Sequence, residues 1–298
     1  MATEIKSKHT PSVLSSSQSG FRKLAKRVWG ERGAVIGGAI ILFFVILALL
    51  GFFGLTPYPV IEQHPLDRLS APSEAYLLGT DQFGRDVASR IMKGTTNSLE
   101  VALLSVTIST LAGTLIGAIS GYIGGLVDNI IMRLMDIIFA FPGLLLALLI
   151  VTILGPGLYN TVLAISIVYT PIFARVARGQ VILVKEMDYV TAARSLGKRE
   201  FSILLRHVIP NIMSVLIVQV TLALSWALIT EAGLSFLGLG TQQPEPSLGL
   251  MLSSNRALAE IAPWLILYPG LAIMLMVLGF NLLGDGLRDL LDPRSRGR

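Results

Sequence analysis

Six long apolar runs dominate the chain and restrict it to a membrane-spanning fold. Hydrophobic residues make up 53% of the sequence and charged residues only 14%, whereas soluble domains carry about 25% charged residues. A helix needs about 20 mainly apolar residues to cross a bilayer, and its backbone polar groups must be satisfied within the protein. We therefore predict an all-α integral membrane protein with six transmembrane helices. The predicted spans cover residues 34–55, 99–119, 130–154, 159–174, 212–229 and 264–283.

The positions of the positive charges predict which side of the membrane each segment occupies. Residues 1–33 and 175–206 contain seven Lys or Arg each, and the tail after the last span contains four. The stretches 56–97 and 230–263 together contain only five. Because basic residues are enriched in cytoplasmic segments, we predict that both termini and the 175–206 segment are cytoplasmic.

The predicted organisation has three parts. A cytoplasmic N-terminal tail covers residues 1–33, a transmembrane domain covers 34–287 with a cytoplasmic loop at 175–210, and a C-terminal tail covers 288–298. The stretch 21–33 is basic and amphipathic, which fits either an anchor on the inner membrane surface or an extension of the first helix. The first apolar run is long and lacks a small-residue cleavage site, which predicts a retained helix rather than a signal peptide.

The sequence argues against several classes of enzyme. It has no cysteine, which excludes disulfides, thiol catalysis and Cys-based metal sites. Its histidines, His9, His64 and His207, fall in different predicted segments, so neither a metal site nor a catalytic triad is predicted. It also lacks the Gly-x-x-x-x-Gly-Lys-Ser/Thr string of a phosphate-binding loop. We predict that the chain is not an enzyme, binds no cofactor itself, and would need another subunit to bind any ATP that drives it.

Prolines and charges interrupt the third and fourth spans. Pro142 predicts a kink in the third span and Pro171 predicts one in the fourth.

Asp128, Arg133 and Asp136 lie near the inner ends of the second and third spans. Charges inside a membrane usually face polar partners, but Gly124 and Gly125 just before favour a position for these three residues in the interface region, where the cost is small.

Three glycines recur at four-residue spacing in the second span: Gly113, Gly117 and Gly121. In lipid, small residues at this spacing allow two helices to approach backbone to backbone. We therefore predict that the second span packs closely against another helix, with a flexible pore helix as the alternative.

The segment between the fourth and fifth spans is polar and contains two short helical patterns. Ala192, Ala193 and Leu196 lie at helical spacing, and Gly197 then breaks the pattern. Small alanine side chains would let another surface come close. A second short helix follows, and Pro210 stands where the fifth membrane helix is predicted to begin. The predicted apolar side of the second short helix consists of Phe201, Leu204, Leu205 and Val208.

This segment resembles a loop of ABC importer permeases, whose pattern is Glu-Ala-Ala, three residues, Gly, nine residues, Ile-x-Leu-Pro. The Ala-Ala, Gly and Pro fall at the family's spacing, whereas Thr191, His207 and Ile209 replace the Glu, the first Ile and the Leu. Tyr189 and Arg206 resemble the dipeptide and oligopeptide branch. The resemblance implies a coupling helix that docks into an ATPase subunit. The implied coupling residues are Asp188, Tyr189, Thr191, Ala192, Ala193, Leu196, Gly197, Phe201, Arg206, His207 and Pro210.

A polar string, Gly-Thr-Asp-Gln-Phe-Gly-Arg-Asp, lies in the first predicted external segment. It predicts an Asx-type turn and a helix N-cap at Thr80 or Asp81. The string also resembles the signature of the C-type permeases of peptide and nickel transporters. Asp81, Arg85 and Asp86 are expected to pair with one another or with a second permease subunit. The implied signature positions are Gly79, Thr80, Asp81, Gly84, Arg85 and Asp86.

Two further strings resemble the same branch. One begins with Glu231 at the outer end of the fifth span, and this carboxylate is expected either to meet a substrate amine or to pair with Arg85 or Arg256. The other follows the last span, and its charges are expected to pair among themselves or to contact a cytoplasmic partner. Its implied signature positions are Gly284, Asp285, Arg288, Asp289 and Asp292.

Taken together, the four strings resemble the membrane subunit of a binding-protein-dependent ABC importer. The resemblance implies a type I ABC importer permease fold in a bacterial inner membrane, working by alternating access, with no catalytic or metal-binding residue in this chain. The implied partners are a second homologous permease, two ATPase subunits that bind ATP and Mg²⁺, and an extracytoplasmic solute-binding protein. Dipeptides or oligopeptides are the expected cargo, and nickel and glutathione stay as alternatives. An ATP-independent secondary transporter would be expected to show buried charges or an inverted repeat, and the sequence shows neither clearly.

Overall fold

The computed structural model describes residues 31–291, where regular structure is helical apart from an isolated bridge between Thr80 and Asp86. The predicted N-terminal tail through residue 30, with most of the basic stretch 21–33, and the tail from Asp292 onward lie outside the described residues. In chain order the helices are α1 (Arg32–Phe52), α2 (Val87–Ile123), α3 (Gly125–Phe139), α4 (Gly143–Leu154), α5 (Leu158–Lys185), α6 (Asp188–Ser195), α7 (Glu200–Ile203), α8 (Ile209–Phe236), α9 (Leu248–Asn255) and α10 (Trp264–Leu291). A π-turn covers Leu204–Val208, and 3-10 turns cover Pro65–Asp67 and Arg256–Leu258.

Five of these helical stretches are long and apolar enough to cross a membrane. They are α1, α2, α5, α10 and the continuous stretch Glu200–Phe236, which ends with α8. α3 and α4 make a sixth span if they are counted together, although they are bent by 87° relative to each other. The described part of the chain is therefore an all-helical, multi-pass membrane protein with five or six spans.

The third predicted span is not one kinked helix, and in this respect the sequence-based prediction is wrong. α3 ends at Phe139, and α4 begins only at Gly143. Pro142 has no N–H to donate, and its ring clashes with the preceding helical turn. Its φ of −56° suits the entry to a new helix instead. The fourth span behaves differently, because α5 continues through Pro171 to Lys185 without a break.

α2 begins well before the apolar run that predicts it. Asp86 is its N-cap, and the Asp86 carboxylate accepts hydrogen bonds from the backbone N–H and the hydroxyl of Ser89, at 2.8 and 2.6 Å. The predicted cap at Thr80 or Asp81 is therefore wrong. The early turns of α2 contain Arg90 and several other polar side chains, so hydropathy alone places the start of the helix too late.

The glycines of α2 form a close contact with α5, as the sequence predicts. A Cβ atom at Gly113 would lie 2.6 Å from the Thr170 carbonyl oxygen, and one at Gly121 would lie 2.9 Å from that of Arg178. A Cβ atom at Gly117 would overlap the backbone of Ala174. Because no side chain fits between the two backbones, this packing sets the distance between α2 and α5.

α10 packs against both α1 and α8, again through glycine. A Cβ atom at Gly37 of α1 would lie 2.6 Å from the backbone nitrogen of Leu283. A Cβ atom at Gly284 would lie 2.7 Å from the hydroxyl oxygen of Thr221 in α8. These contacts hold the first and last helices together and attach them to the stretch that ends with α8.

Candidate functional site

α6 has one buried face and one exposed face. Val190 and Ala193 are buried against the rest of the chain, whereas Leu196, just past the helix, is 80% exposed. Tyr189 and Ala192 lie on the same exposed side, since residues i, i+3 and i+7 share a helix face. From the sequence, both Ala192 and Ala193 were expected to let a neighbouring surface come close. In the structure Ala193 packs inward, and Ala192 is the alanine that such a surface would contact.

Gly197 ends α6 in a Schellman-type turn. Its φ of +74° is in the left-handed region that favours glycine. The Lys198 N–H donates to the Ala193 carbonyl at 3.3 Å, and the Gly197 N–H donates to the Arg194 carbonyl at 2.9 Å. A Cβ atom at Gly197 would meet nothing within 4 Å. Within this chain, the backbone conformation and not close packing therefore requires a glycine here.

Polar contacts connect this turn to the end of α2. Arg194 donates a hydrogen bond of 3.0 Å to Glu200, and that bond raises the pKa of the Arg194 guanidinium. The Tyr122 hydroxyl, near the end of α2, donates to the same carboxylate. Lys185 donates from its ammonium group to the Gly121 carbonyl at 2.9 Å. The orientation of α6 is thus fixed relative to the end of the α2–α5 pair.

The second short helix has only part of its predicted apolar side buried. Leu204 and Val208 are buried, together with Ile203, but Leu205 is exposed and Phe201 is 72% exposed. The four residues predicted as the apolar side of this helix therefore do not all face the core. Ile203 takes a buried position that the prediction did not include, and the π-turn changes the rotation per residue from Leu204 onward, so that Leu205 points outward.

The π-turn also accommodates Pro210, which is the second residue of α8. The Ile209 N–H donates to the Leu204 carbonyl, five residues earlier. The side-chain amide of Asn211 donates to the His207 carbonyl at 2.6 Å, which satisfies a group near the proline ring. Pro210 therefore lies near the start of the fifth span, as predicted, while the helical path continues through it from Glu200.

These features produce one exposed apolar surface on a polar segment. We define the α6 surface as the exposed side chains of Tyr189, Ala192, Leu196 and Phe201. Exposed apolar clusters of this kind mark sites of contact with another protein or with the membrane. The other predicted coupling residues with exposed side chains are Asp188, Thr191, Arg206 and Pro210, whereas His207 is half-buried.

The signature string before α2 forms the predicted Asx-type turn. One oxygen of Asp81 accepts hydrogen bonds from the backbone N–H groups of Phe83 and Arg85, at 2.8 and 3.0 Å. Its other oxygen accepts from the Arg85 guanidinium at 2.7 Å and lies 3.6 Å from Arg90. The expected pairing within the string therefore exists between Asp81 and Arg85, whereas Asp86 bonds to Ser89 instead.

The glycines of this string bring three parts of the chain together. Gly79 has a φ of +78°, and its backbone packs against Ser70 and against the indole of Trp264 in α10. Gly84 has a φ of +75°, and a Cβ atom there would overlap the backbone of His64. The Trp264 indole donates to the Thr80 carbonyl at 3.3 Å. These contacts give the string a structural role in fastening the segment before α2 to the bundle.

Glu231 is fully buried in α8. The Ser235 hydroxyl donates to one of its carboxylate oxygens at 2.6 Å. No ion pair with Arg85 or Arg256 is found within residues 31–291, so the expected salt bridge is wrong. The burial also keeps this carboxylate from meeting a substrate amine in this conformation.

The C-terminal signature lies in the last turns of α10. Gly284 is buried against α8, whereas Asp285, Arg288 and Asp289 are exposed. Asp292 is outside the described residues, so the pairing predicted for it is not addressed by the structure. Across residues 31–291, no three His, Asp or Glu side chains come together as they would to hold a metal ion.

The sequence interpretation did not identify a charged clip between α3 and α5. The Arg178 guanidinium donates two hydrogen bonds to the Asp128 carboxylate, one to each oxygen and both 2.6 Å long. The Ser120 hydroxyl donates to the same carboxylate. Asp128 is buried. Of the two alternatives for this residue, the structure supports a charge that faces a partner. The signal in the sequence was the acidic residue in an apolar region, but its basic partner is 50 residues away.

We expect Asp128→Ala to destabilise the protein by about 1–3 kcal/mol, because it removes both hydrogen bonds that the buried carboxylate accepts from Arg178, whose own side chain is 35% exposed and keeps part of its hydration. Thermal unfolding of the purified protein in detergent measures this loss. A double variant, Asp128→Ala with Arg178→Met, removes the unpaired charge and is expected to recover much of the stability. Equal stability of the single variant and the unmodified protein would contradict the proposed importance of the clip.

The chain is similar in sequence to known transport proteins. Residues 113–297 match the family model described as binding-protein-dependent transport system inner membrane component. The chain is 44% identical over 278 residues to a dipeptide transport system permease protein of Alkalihalophilus pseudofirmus, covering 93% of this chain and 91% of that one. It is 42% identical to a glutathione transport system permease protein of Pectobacterium atrosepticum, covering 94% and 93%.

The fold is also similar to a solved structure, the methionine ABC transporter MetNI in an inward-facing conformation. The match has a TM-score of 0.55 at 15% identity and covers 66% of this chain and 94% of the other. At this identity the match shows the fold alone. The family match extends from the α2 glycines to the C-terminal signature and includes the α6 surface. On these grounds the chain belongs to the family of inner membrane components of binding-protein-dependent transport systems, the permease subunits of ABC importers.

Proposed function

We propose that the chain is the permease subunit of an ATP-driven importer of dipeptides or oligopeptides in a bacterial inner membrane. The observation that carries the proposal is the 44% identity, over nearly the whole chain, to a dipeptide transport system permease. Glutathione, itself a small peptide, is the alternative favoured by the 42% identity to a glutathione permease. Nickel stays an alternative on the resemblance of the signature string alone.

The α6 surface is the proposed contact with an ATPase subunit. Its apolar side chains project from a segment rich in Lys and Arg, which the positive-inside rule assigns to the cytoplasm together with both termini. The phosphate-binding string is missing from the sequence, so ATP and Mg²⁺ are proposed to bind to two partner ATPase subunits. A second homologous permease and an extracytoplasmic solute-binding protein would complete the transporter.

The helical stretch that follows α6 supports a mechanical role for this contact. α6 is joined to Glu200 through the Gly197 turn and the Arg194–Glu200 ion pair. From Glu200 the helical path runs to Phe236 without a break. Movement of an ATPase against α6 would therefore move a whole membrane span as a rigid element. Such rigid-body movement is one established way to switch a transporter between two states.

Reconstitution tests this function directly. The chain is co-expressed with its neighbouring permease, ATPase and binding-protein genes, purified as a complex, and placed in proteoliposomes. We expect ATP-dependent uptake of a labelled dipeptide, competed by unlabelled peptides. Competition by glutathione or nickel and not by dipeptides would reassign the cargo. Uptake without ATP would overturn the proposal in favour of a secondary transporter, and ATP hydrolysis by the purified chain alone would contradict the assignment of ATP to partner subunits.

A further inference from the structure

The break between α3 and α4 lies deep in the bundle. A Cβ atom at Gly143 would lie 3.1 Å from a methyl carbon of Val168, which places the start of α4 beside the middle of α5. Val168 follows Leu158, the first residue of α5, by about 15 Å along the helix axis at 1.5 Å per residue. The hydrocarbon core of a bilayer is about 30 Å thick. If the hydrocarbon core begins near Leu158, as the predicted span 159–174 implies, the break lies at membrane depth, about half-way through that core.

The backbone around this break is exposed. All residues from Phe139 to Leu145 are exposed in the chain. α4 begins without a side-chain cap, and the first N–H groups of a helix have no partner within the helix. Irregular backbone at membrane depth is not tolerated against lipid, and it occurs only where protein covers it or water reaches it.

A charged pair lies one helical turn before the break. Asp136 in α3 and Arg175 in α5 form an ion pair of 2.8 Å, with side chains that are 49% and 38% exposed. The Arg175 guanidinium also lies over the ring of Phe139, 4.0 Å from its centre. Arg175 is the first residue of the segment predicted to be cytoplasmic, so the pair lies toward the inner end of the membrane-crossing part of α5. Half-exposed charges at such a position face water or another polar group, and not the hydrocarbon of the lipid. The pair is thus a second, independent sign that this face of the chain is wet.

We infer that residues 139–145 and the Asp136–Arg175 pair line the water-filled translocation path, and that they do not face lipid or a dry contact with the second permease. The half-exposed ion pair favours water over a dry contact, because burying both charges against another subunit carries a desolvation cost of several kcal/mol. The inference rests on the proposed function, since only a transporter has such a path.

The lack of cysteine makes the inference testable by labelling single cysteines. Phe141→Cys reports on the break, and Phe43→Cys is its matched control. The two phenylalanines are 54% and 56% exposed, and Phe43 lies in the uninterrupted apolar helix α1. Each variant is assembled into the complete transporter in nanodiscs, where both membrane sides are open to solution. The probe is a membrane-impermeant, anionic methanethiosulfonate, and its attachment to this chain is quantified by mass spectrometry.

We expect Phe141→Cys to be labelled at least about tenfold faster than Phe43→Cys, because the reactive thiolate forms where water reaches it. Labelling is measured without nucleotide and with nucleotide trapped on the ATPases, and faster labelling in either state supports the inference. Equally slow labelling of both variants in both states overturns it, as does cross-linking of Phe141→Cys to the second permease without labelling. Complete labelling after denaturation verifies that each thiol is present.

Separate measurements distinguish the failure of this inference from the failure of the proposed function. Peptide uptake by the unmodified transporter tests the function. If uptake is absent but Phe141→Cys is labelled quickly, the break is wet and the proposed cargo or energy source is wrong. If uptake is normal but Phe141→Cys resists the reagent in both states, the function holds and the path runs elsewhere.

Discussion

Leu196→Glu is expected to abolish transport while leaving the protein in the membrane at its normal level. The side chain of Leu196 is almost fully exposed and contributes little to the fold of its own chain. If the α6 surface binds an ATPase, a carboxylate there would be buried without a partner. Loss of a central interface contact costs at least about 2 kcal/mol, which is about 30-fold in affinity. Co-purification of the ATPase subunits and peptide uptake measure the effect.

Leu77→Glu is the matched control for this change. Leu77 is also strongly exposed, and it lies in the segment before α2. The α6 surface lies near the other end of α2, where Tyr122 bonds to Glu200. α2 has 37 residues and is about 55 Å long, so the control changes the same residue type far from the ATPase. Normal ATPase binding and uptake by Leu196→Glu would refute the docking role of the α6 surface.

Gly117→Ala is expected to cost about 1–3 kcal/mol of stability, although it adds only one methyl group, because overpacking forces the surrounding backbone to move. The new Cβ atom would overlap the backbone of Ala174, and two helices would have to separate to admit it. The larger change Gly117→Val is expected to prevent accumulation of the folded protein. Thermal unfolding in detergent measures the first variant, and the amount of protein in the membrane measures the second.

Gly179→Ala, in the partner helix α5, is the control for Gly117→Ala and is expected to have the opposite effect on stability. Gly179 lies in α5, and a Cβ atom there would meet nothing within 4 Å. Alanine at a helical position without a clash is more favourable than glycine by about 0.5–1 kcal/mol. The variant is therefore expected to be as stable as the unmodified protein or slightly more stable. If both glycine variants behaved alike, the α2–α5 contact would not depend on the small residue at position 117.

Apolar runs in the sequence were sufficient to predict five of the six spans, because the cost of polar groups in lipid leaves few alternatives. The same criterion failed at the ends of the helices. The first turns of α2 contain Arg90 and other polar residues that pack inside the bundle, so the helix is longer than its apolar run. It also failed at Pro142, because hydropathy does not distinguish a kink from a full break.

The site could be predicted only in part for a related reason. The spacing of Ala192, Ala193 and Gly197 indicated a short helix and a turn, and both are present. It did not indicate that Ala193 faces inward, because helix rotation depends on contacts with distant residues. The π-turn at Leu204–Val208 also depends on tertiary structure. The Asp128–Arg178 clip joins residues far apart in the chain, and no local pattern reports such a pair.

The stretch from Glu200 to Phe236 has 37 residues in one helical path and is about 55 Å long. Under the proposed function this stretch would act as a lever, because a tilt of about 5° at its α6 end would move the opposite tip by about 5 Å. That tip includes Ala232, whose backbone touches Gly249 of α9. Movement at the α6 end would then shift the contact between α8 and α9 at the other end of the same helical stretch.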